Sequence, residues 1–294
     1  MIVTNIMAKF LKSKEFVLLK KYFEKESSVL LAFLFGSFAK GVEMEESDFD
    51  VAVYFKNYHP LSCPLAQLKK PKVIRELERK IWFKITQLIH KEVDLVCLNE
   101  APASLISDIF KTGIPLKIKD KRLYWELYLN KSLEAEDFSE FGKDFLEIKQ
   151  KAKSLIPKQK DRLRIRFDYL NDEMKKIDRF KKLKLDDYLH NWEGRKIVER
   201  WTENIVNALI DIAKIVLASE KKEMPKSYGD ALYYFGVFVG LKEKELETLS
   251  ELASLRNILA HEYLEVLYGR IKDFIKEFPK LYPKIFKFLK EYLK

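Results

Sequence analysis

The sequence predicts an α+β domain, a small mixed sheet with flanking helices, followed by an all-α helical bundle. Three observations predict it. Short apolar runs of strand length are confined to the residues before Lys121. From Lys121 onward the apolar residues recur at helical spacing, with no convincing period-2 alternation. Phe 21 and Tyr 14 against Gly 9 and Pro 9 favour long regular elements over a turn-rich all-β chain.

Residues 10–26 read as a helix, with Phe10, Leu11, Phe16, Leu18, Leu19 and Tyr22 set among lysines and glutamates. Val29–Phe35 is an uninterrupted apolar run stopped by Gly36-Ser37, short enough to be a buried strand. Phe49–Phe55 is a second strand, with Asp50, Ala52 and Tyr54 on one face and Val51 and Val53 on the other. A loop carrying Pro60 and Pro64 leads to a helix over Lys72–His90, then a strand at Val93–Leu98 and a fourth at Ile114–Ile118. Helical segments follow at 121–131, 138–156, 161–182, 188–219, 228–239 and 242–263. The last stretch, 270–294, carries a Phe/Leu/Ile stripe, and Pro279 and Pro283 are expected to split it. Two domains result, 1–150 and 151–294, with the boundary near Lys151–Lys160, although helices over 121–150 suit either domain.

Composition narrows the function classes. Apolar residues at 47% and charged residues at 34% of 294 supply buried cores and argue against general disorder. Two cysteines, Cys63 and Cys97, exclude a disulfide scaffold and a cysteine-built zinc or iron–sulfur site, and His59, His90, His190 and His261 lack ligand spacing. No apolar stretch approaches the roughly 20 residues of a membrane span. Met1–Lys14 carries lysines within its apolar segment and no small-residue cleavage site, unlike a signal peptide. A reducing, cytoplasmic setting is expected, with no membrane partner. Lys+Arg 55 against Asp+Glu 45 gives +10, which permits nucleic-acid or nucleotide contact without establishing it, since neither half is a basic tail.

The first constellation is Gly36-Ser37 followed by Asp48-Phe49-Asp50 and, further on, Asp94. A Gly-Ser turn between a strand and a helix start offers backbone N–H groups and a hydroxyl to phosphate oxygens. Asp48 and Asp50 are two apart on a strand, so their carboxylates share a face. At about 4 Å and an effective dielectric near 20 they would repel by roughly 4 kcal/mol. Mg2+, which prefers oxygen ligands and nucleotide phosphates, relieves that repulsion. Asp94 lies within the apolar Val93-Asp94-Leu95-Val96 strand, and pairing that strand with the second would add a third carboxylate, as metal ligand or general base. The chemistry suggested is nucleotidyl transfer. A solvated Asp-x-Asp turn and a strand aspartate in a surface ion pair are the plainer alternative.

Gly36-Ser37, ten intervening residues, then Asp48-x-Asp50 resembles the signature of the minimal nucleotidyltransferases (MNT) of the polymerase-β superfamily. The resemblance spans residues 1–150 and puts Asp94 at the third-carboxylate position. It implies an α+β nucleotidyltransferase domain using Mg2+ and ATP, with Gly36, Ser37 and Lys40 toward the phosphates. Lys40 stands where many members have Arg, so a point charge replaces a bidentate contact.

The second constellation is Arg256-Asn257-Ile258-Leu259-Ala260-His261-Glu262-Tyr263. At about 100° per residue, Arg256 and Tyr263 share a stripe of a regular helix, whereas Arg256 and His261 stand about 140° apart. A kink or a two-fold interface would bring them together more easily. A histidine that shuttles protons and an arginine that stabilises a pentavalent phosphate suffice for metal-independent RNA cleavage. A helix-packing hydrogen-bond cluster is the structural alternative. Arg-x4-His-x-Tyr in an all-helical region resembles the HEPN family, as do Val198-Glu199-Arg200-Trp201 and Ser227-Tyr228-Gly229-Asp230-Ala231-Leu232. The resemblance implies Arg256 and His261 as ribonuclease residues in a dimer-interface cleft, with Asn257 as an accessory polar residue. It implies Tyr263 as the hydroxyl that a nucleotidyltransferase modifies with AMP.

MNT and HEPN proteins commonly pair as toxin and antitoxin. The leading expectation is an MNT–HEPN fusion that adenylylates Tyr263 and silences its own class of ribonuclease, with ATP and RNA as partners and a homodimer or higher homo-oligomer through the helical domain. A small-molecule, aminoglycoside-type nucleotidyltransferase with a helical accessory domain is the alternative. A non-enzymatic dimerisation or nucleotide-binding scaffold is a third reading.

Overall fold

The computed structural model describes residues 13–40, 48–58, 70–151, 155–259 and 264–294. They form two compact units that divide between Asp137 and Phe138.

In the first unit, α1 (Lys14–Lys25) opens on Ser13, whose hydroxyl accepts from the Phe16 N–H. β1 (Val29–Phe35) follows, then the five-residue α2 (Gly36–Lys40), β2 (Phe49–Phe55), α3 (Lys72–Ile89) and β3 (Val93–Cys97). α4 (Ala103–Thr112) and β4 (Ile114–Ile118) complete the sheet, whose order is β3-β2-β1-β4. β1 pairs antiparallel with both β2 and β4, while β2 and β3 run parallel, so the sheet is mixed as expected. The unbroken apolar character of β1 follows from its central place, buried on both faces.

One face packs Ala32, Leu34, Val51 and Val53 against Phe16, Leu19 and Phe23 of α1 and Ile81, Ile85 and Ile89 of α3. The other packs Leu31, Phe33 and Ala52 against Ile106, Ile109 and Phe110 of α4, with Tyr54 and Val96 beside them. Alternation therefore sets Asp50 and Asp94 on the α4 face, at the end of the strands. Sequence analysis does not anticipate α4. Ile106, Ile109 and Phe110 do carry helical spacing, but Pro102 and Gly113 bracket a segment short enough to pass for a loop.

α5 (Lys121–Lys151) is one continuous helix where sequence analysis expects a break near 132–137. Tyr124, Leu127 and Tyr128 join the first unit's core, and Phe138, Phe141, Phe145 and Ile148 join the second's. The division thus falls inside a helix, earlier than residue 150, because both ends of α5 have an apolar face to bury.

The second unit adds α6 (Pro157–Met174), the 3-10 turn Ile177–Arg179, α7 (Leu185–His190), α8 (Trp192–Ser219), α9 (Tyr228–Val239), α10 (Glu243–Ile258) and α11 (Leu264–Tyr292). Pro157 takes the first helical position of α6, where no N–H bond is lost. α8 is the central helix, burying Trp201, Ile205, Leu209, Ile212 and Val216. Asn191 caps it by accepting from the Gly194 N–H, and Trp192 stays exposed, in keeping with an exposed helix start. Pro279 and Pro283 do not split the last segment: both lie inside α11. An interior proline costs about 3 kcal/mol, and burial of Phe274, Phe278, Leu281, Ile285 and Leu289 along one stripe offsets it. Among the described residues no helix is long and apolar enough to cross a membrane.

Candidate active site

The carboxylate site is assembled by strand register. In the parallel pair Asp50 stands directly opposite Asp94, and across the antiparallel pair Asp50 faces Phe35, the residue before Gly36. Gly36 has φ 72°, the left-handed region where glycine is at ease. A Cβ built there would lie 1.9 Å from Asp50 Oδ2. Only a residue without a side chain lets the β1–α2 turn approach that carboxylate. Phe38 of α2 stacks on Phe49 at 4.1 Å, with the Lys91 ammonium over both rings. This fixes the Gly36-Ser37 turn against the strand that carries Asp50.

Asp48 and Asp94 are exposed and Asp50 is half-buried. Burial, followed by the like charges of Asp94 and Asp48, raises the Asp50 carboxyl above its ordinary value. Carboxylate oxygens as the donors, with two carboxylates pressing on a third, are the chemistry that suits magnesium, and a divalent cation would offset the like charges that act on Asp50. A second cluster, Glu78, Cys97 and Glu100, brings its ligand atoms within 4.8 Å of one another. One of its two negative charges is answered by a lysine, and its carboxylate oxygens have donors. Lys70 Nζ lies 2.5 Å from Glu78 and 2.8 Å from Glu100, Tyr58 donates to Glu100, and burial pushes the Cys97 thiol up to about 12. This cluster is an ion-paired brace for the loop after β3. Asn99 works beside it, accepting from the Phe55 N–H and donating to the Phe55 and Tyr58 carbonyls.

Along β3, at an open edge of the sheet, runs a groove of about 690 Å³ lined by Asp94 and by Arg75, Arg79 and Trp82 of α3. Trp82 donates from its indole N–H to the Val93 carbonyl at 2.8 Å. Sequence reasoning missed these three residues, although their i, i+4, i+7 spacing places them on one helix stripe.

In the helical unit, Arg256 lies in the last turn of α10 with its guanidinium carbon 4.8 Å from the centroid of the Tyr228 ring. Tyr228 is buried at the start of α9 and packs edge-on against Phe138 and Phe141 at 5.0 and 5.5 Å. Arg256 is thus seated on an aromatic cluster whose members are far apart in sequence, and no local pattern announces Tyr228 in that role. His261 and Tyr263 lie outside the described residues, as do the side chains of Asn257 and Lys40.

Residues 18–122 match the family model for polymerase beta nucleotidyltransferases, and residues 170–291 match that for HepT-like ribonucleases. The chain joins a nucleotidyltransferase domain to a HepT-like domain. A tRNA nuclease HepT from Aphanizomenon flos-aquae (strain 2012/KM1/D3) is 28% identical over 101 residues, 34% of this chain and 69% of that protein. Among solved structures, a chain of a toxin–antitoxin crystallised with AMP-PNP has 19% identity and a TM-score of 0.34, covering 46% of this chain and 97% of the other. A chain of a mutant MntA–HpeT toxin–antitoxin has 18% identity and a TM-score of 0.34 with the same coverage. The nucleotidyltransferase match contains Gly36, Ser37, Asp48, Asp50 and Asp94, and the HepT-like match contains Arg256, His261 and Tyr263.

Proposed function

We propose that the nucleotidyltransferase domain transfers AMP from Mg-ATP to Tyr263 of a HepT-like domain and so silences a metal-independent ribonuclease, a toxin–antitoxin arrangement carried on one chain. The observation that carries this reading is the meeting of Asp50 and Asp94 in strand register beside Gly36, in a chain whose other half matches HepT-like ribonucleases. Magnesium held by Asp48, Asp50 and Asp94 would supply charge neutralisation and Lewis acidity at the α-phosphate. The Gly36-Ser37 turn, with Lys40, receives the remaining phosphates. The Tyr263 oxygen attacks the α-phosphorus, its proton passes to the Asp94 carboxylate, the α–β phosphoanhydride breaks and pyrophosphate leaves. Asp50, packed close behind Gly36, is positioned by the β1–α2 turn before the step begins.

Unmodified, the helical domain cleaves RNA. A 2′-hydroxyl attacks the adjacent phosphodiester, His261 handles the proton, Arg256 stabilises the extra negative charge, and the 5′-oxygen leaves. AMP on Tyr263 adds bulk and a negative phosphodiester two residues from His261, opposing an RNA phosphate by like charge. Asn257 serves as an accessory polar residue, and a homodimer through the helical domain would complete the cleft in the cytoplasm. The HepT-like match over 170–291 favours this protein acceptor over an aminoglycoside-type small molecule.

Intact-protein mass spectrometry after incubation with Mg-ATP tests the proposal. AMP adducts mapping to Tyr263, absent from Tyr263→Phe, are expected. Undiminished labelling of Tyr263→Phe would overturn it.

A further inference from the structure

The groove along β3 carries the reading from the nucleotide to its acceptor. Across the sheet the order is the Gly36 turn at the end of β1, then Asp50, then Asp94, then the groove. If the triphosphate occupies the Gly36-Ser37 side, the groove lies on the far side of the carboxylate row. An attacking hydroxyl entering from the groove would then stand opposite the departing pyrophosphate, as in-line displacement at the α-phosphorus requires.

The walls of the groove describe what enters. On the inner wall Glu78 and Glu100 share the single ammonium of Lys70, with about a tenth of the Glu100 and Lys70 side chains exposed, so one net negative charge remains there and the cationic side of the groove is its Arg75 and Arg79 wall. On the outer wall Arg75 and Arg79 are exposed, one helical turn apart, and no carboxylate among the described residues pairs with either. Trp82 completes the stripe. Its N–H is held by β3, and 45% of the residue remains exposed, so the ring is fixed yet open to a ligand. Two guanidiniums without a carboxylate partner among the described residues and a clamped indole, beside the carboxylate row, suit an acceptor that carries carboxylates and an aromatic or apolar group near its hydroxyl. The sequence His261-Glu262-Tyr263-Leu264-Glu265 has this composition: a tyrosine hydroxyl, a leucine, and a glutamate on each side.

We propose that the Arg75, Arg79 and Trp82 stripe is the acceptor-docking site of the nucleotidyltransferase domain, and that it takes the segment His261–Glu265 by pairing Glu262 and Glu265 with the two arginines. The proposal rests on the adenylyl-transfer reading for its chemistry but not for its binding step. Arg75 and Arg79 act in it as specificity determinants and leave bond making to the carboxylates.

The test uses the full chain with Tyr263→Phe and a fluorescent peptide of residues 256–268, read by anisotropy without nucleotide. Arg75→Glu with Arg79→Glu should weaken peptide binding by about tenfold or more, because each reversal replaces a charge-assisted hydrogen bond with a like-charge repulsion. ATP affinity and the melting temperature should be unchanged. A peptide with Glu262→Lys and Glu265→Lys should bind the parent protein poorly and regain affinity for the double-glutamate variant. Peptide binding indifferent to both charge reversals overturns the proposal. So does a loss of ATP affinity in place of peptide affinity, or competition by an RNA 3′ end that the glutamates do not influence. Mass spectrometry of the wild-type chain separates the two readings. Labelling at Tyr263 with charge-insensitive peptide binding sinks the groove alone, whereas charge-sensitive binding without labelling sinks the adenylyl transfer and leaves the docking site standing.

Discussion

Gly36→Ala is the most informative single change. The new methyl carbon would lie 1.9 Å from Asp50 Oδ2, 2.7 Å from its Cγ and 3.2 Å from its Cβ. The first two atoms can rotate away, but the Cβ is anchored to β2, so the carboxylate must swing and the turn must shift as well. The φ of 72° adds a left-handed penalty of about 1–2 kcal/mol for any residue with a Cβ. Thermal melts should therefore fall by the equivalent of about 2–3 kcal/mol, the strain plus a partly relaxed clash. Activity should fall further, because a carboxylate displaced by about 1 Å can cost on the order of 100-fold in rate. Self-labelling by ATP, followed by intact mass over time, measures the rate, and urea unfolding measures stability. In an Asp50→Ala background the Oδ2 and Cγ atoms are gone, so Gly36→Ala should cost only the φ strain and the closeness to the remaining Cβ. Equal stability penalties in both backgrounds, or wild-type labelling by Gly36→Ala, would refute the claim that this glycine exists to admit Asp50.

Three further outcomes are expected. Asp50→Asn removes a half-buried charge facing Asp94 and Asp48, so magnesium-free protein should be as stable as wild type or gain about 0.5–1 kcal/mol while labelling is lost, checked by melting with chelator present. The Arg162 guanidinium, with Lys214 beside it, holds the Asp144 carboxyl down to about 2 from 3.8. That stability is fully present above the ordinary value near 3.8 and is lost as pH falls through about 2. Circular dichroism should show Asp144→Asn flattening the acid limb within this window, and an unchanged limb would count against the ion pair. Tyr228→Leu should lower RNA cleavage by unmodified protein by a factor matching the about 0.5–2 kcal/mol of a cation–π contact, whereas Tyr228→Phe, which keeps the ring under Arg256, should preserve it.

The strands were legible because their apolar runs are short and sharply bounded. Val29–Phe35, Phe49–Phe55 and Ile114–Ile118 read from sequence with the bounds they have in the fold. Asp48 and Asp50 were visible as a local pair and Asp94 as a charge inside an apolar strand. That Asp94 stands opposite Asp50 depends on a parallel pairing between distant segments, which no local pattern encodes. The same non-locality hid Tyr228 beneath Arg256 and the Arg75–Trp82 stripe beside Asp94. The continuity of α11 escapes a local reading because proline's cost is fixed, while the burial that overcomes it is set by the rest of the bundle.

Among the described residues the four-stranded sheet ends in β3 and β4, and an edge strand is a place where a foreign strand can pair. On β4 stand the exposed Pro115, which has no N–H to offer, and, just past the strand, the exposed Lys119, while the Lys117 ammonium is held by the Glu26 carbonyl. The β3 rim has the Trp82 bond to Val93 and the exposed charge of Asp94 near the start of the strand. A charge on an edge strand opposes edge-to-edge pairing, so Asp94 suits that purpose apart from any chemistry. A lineage that abandoned nucleotide transfer would still be punished for replacing it with valine, and persistence of that acid in silent relatives would be no proof of surviving catalysis.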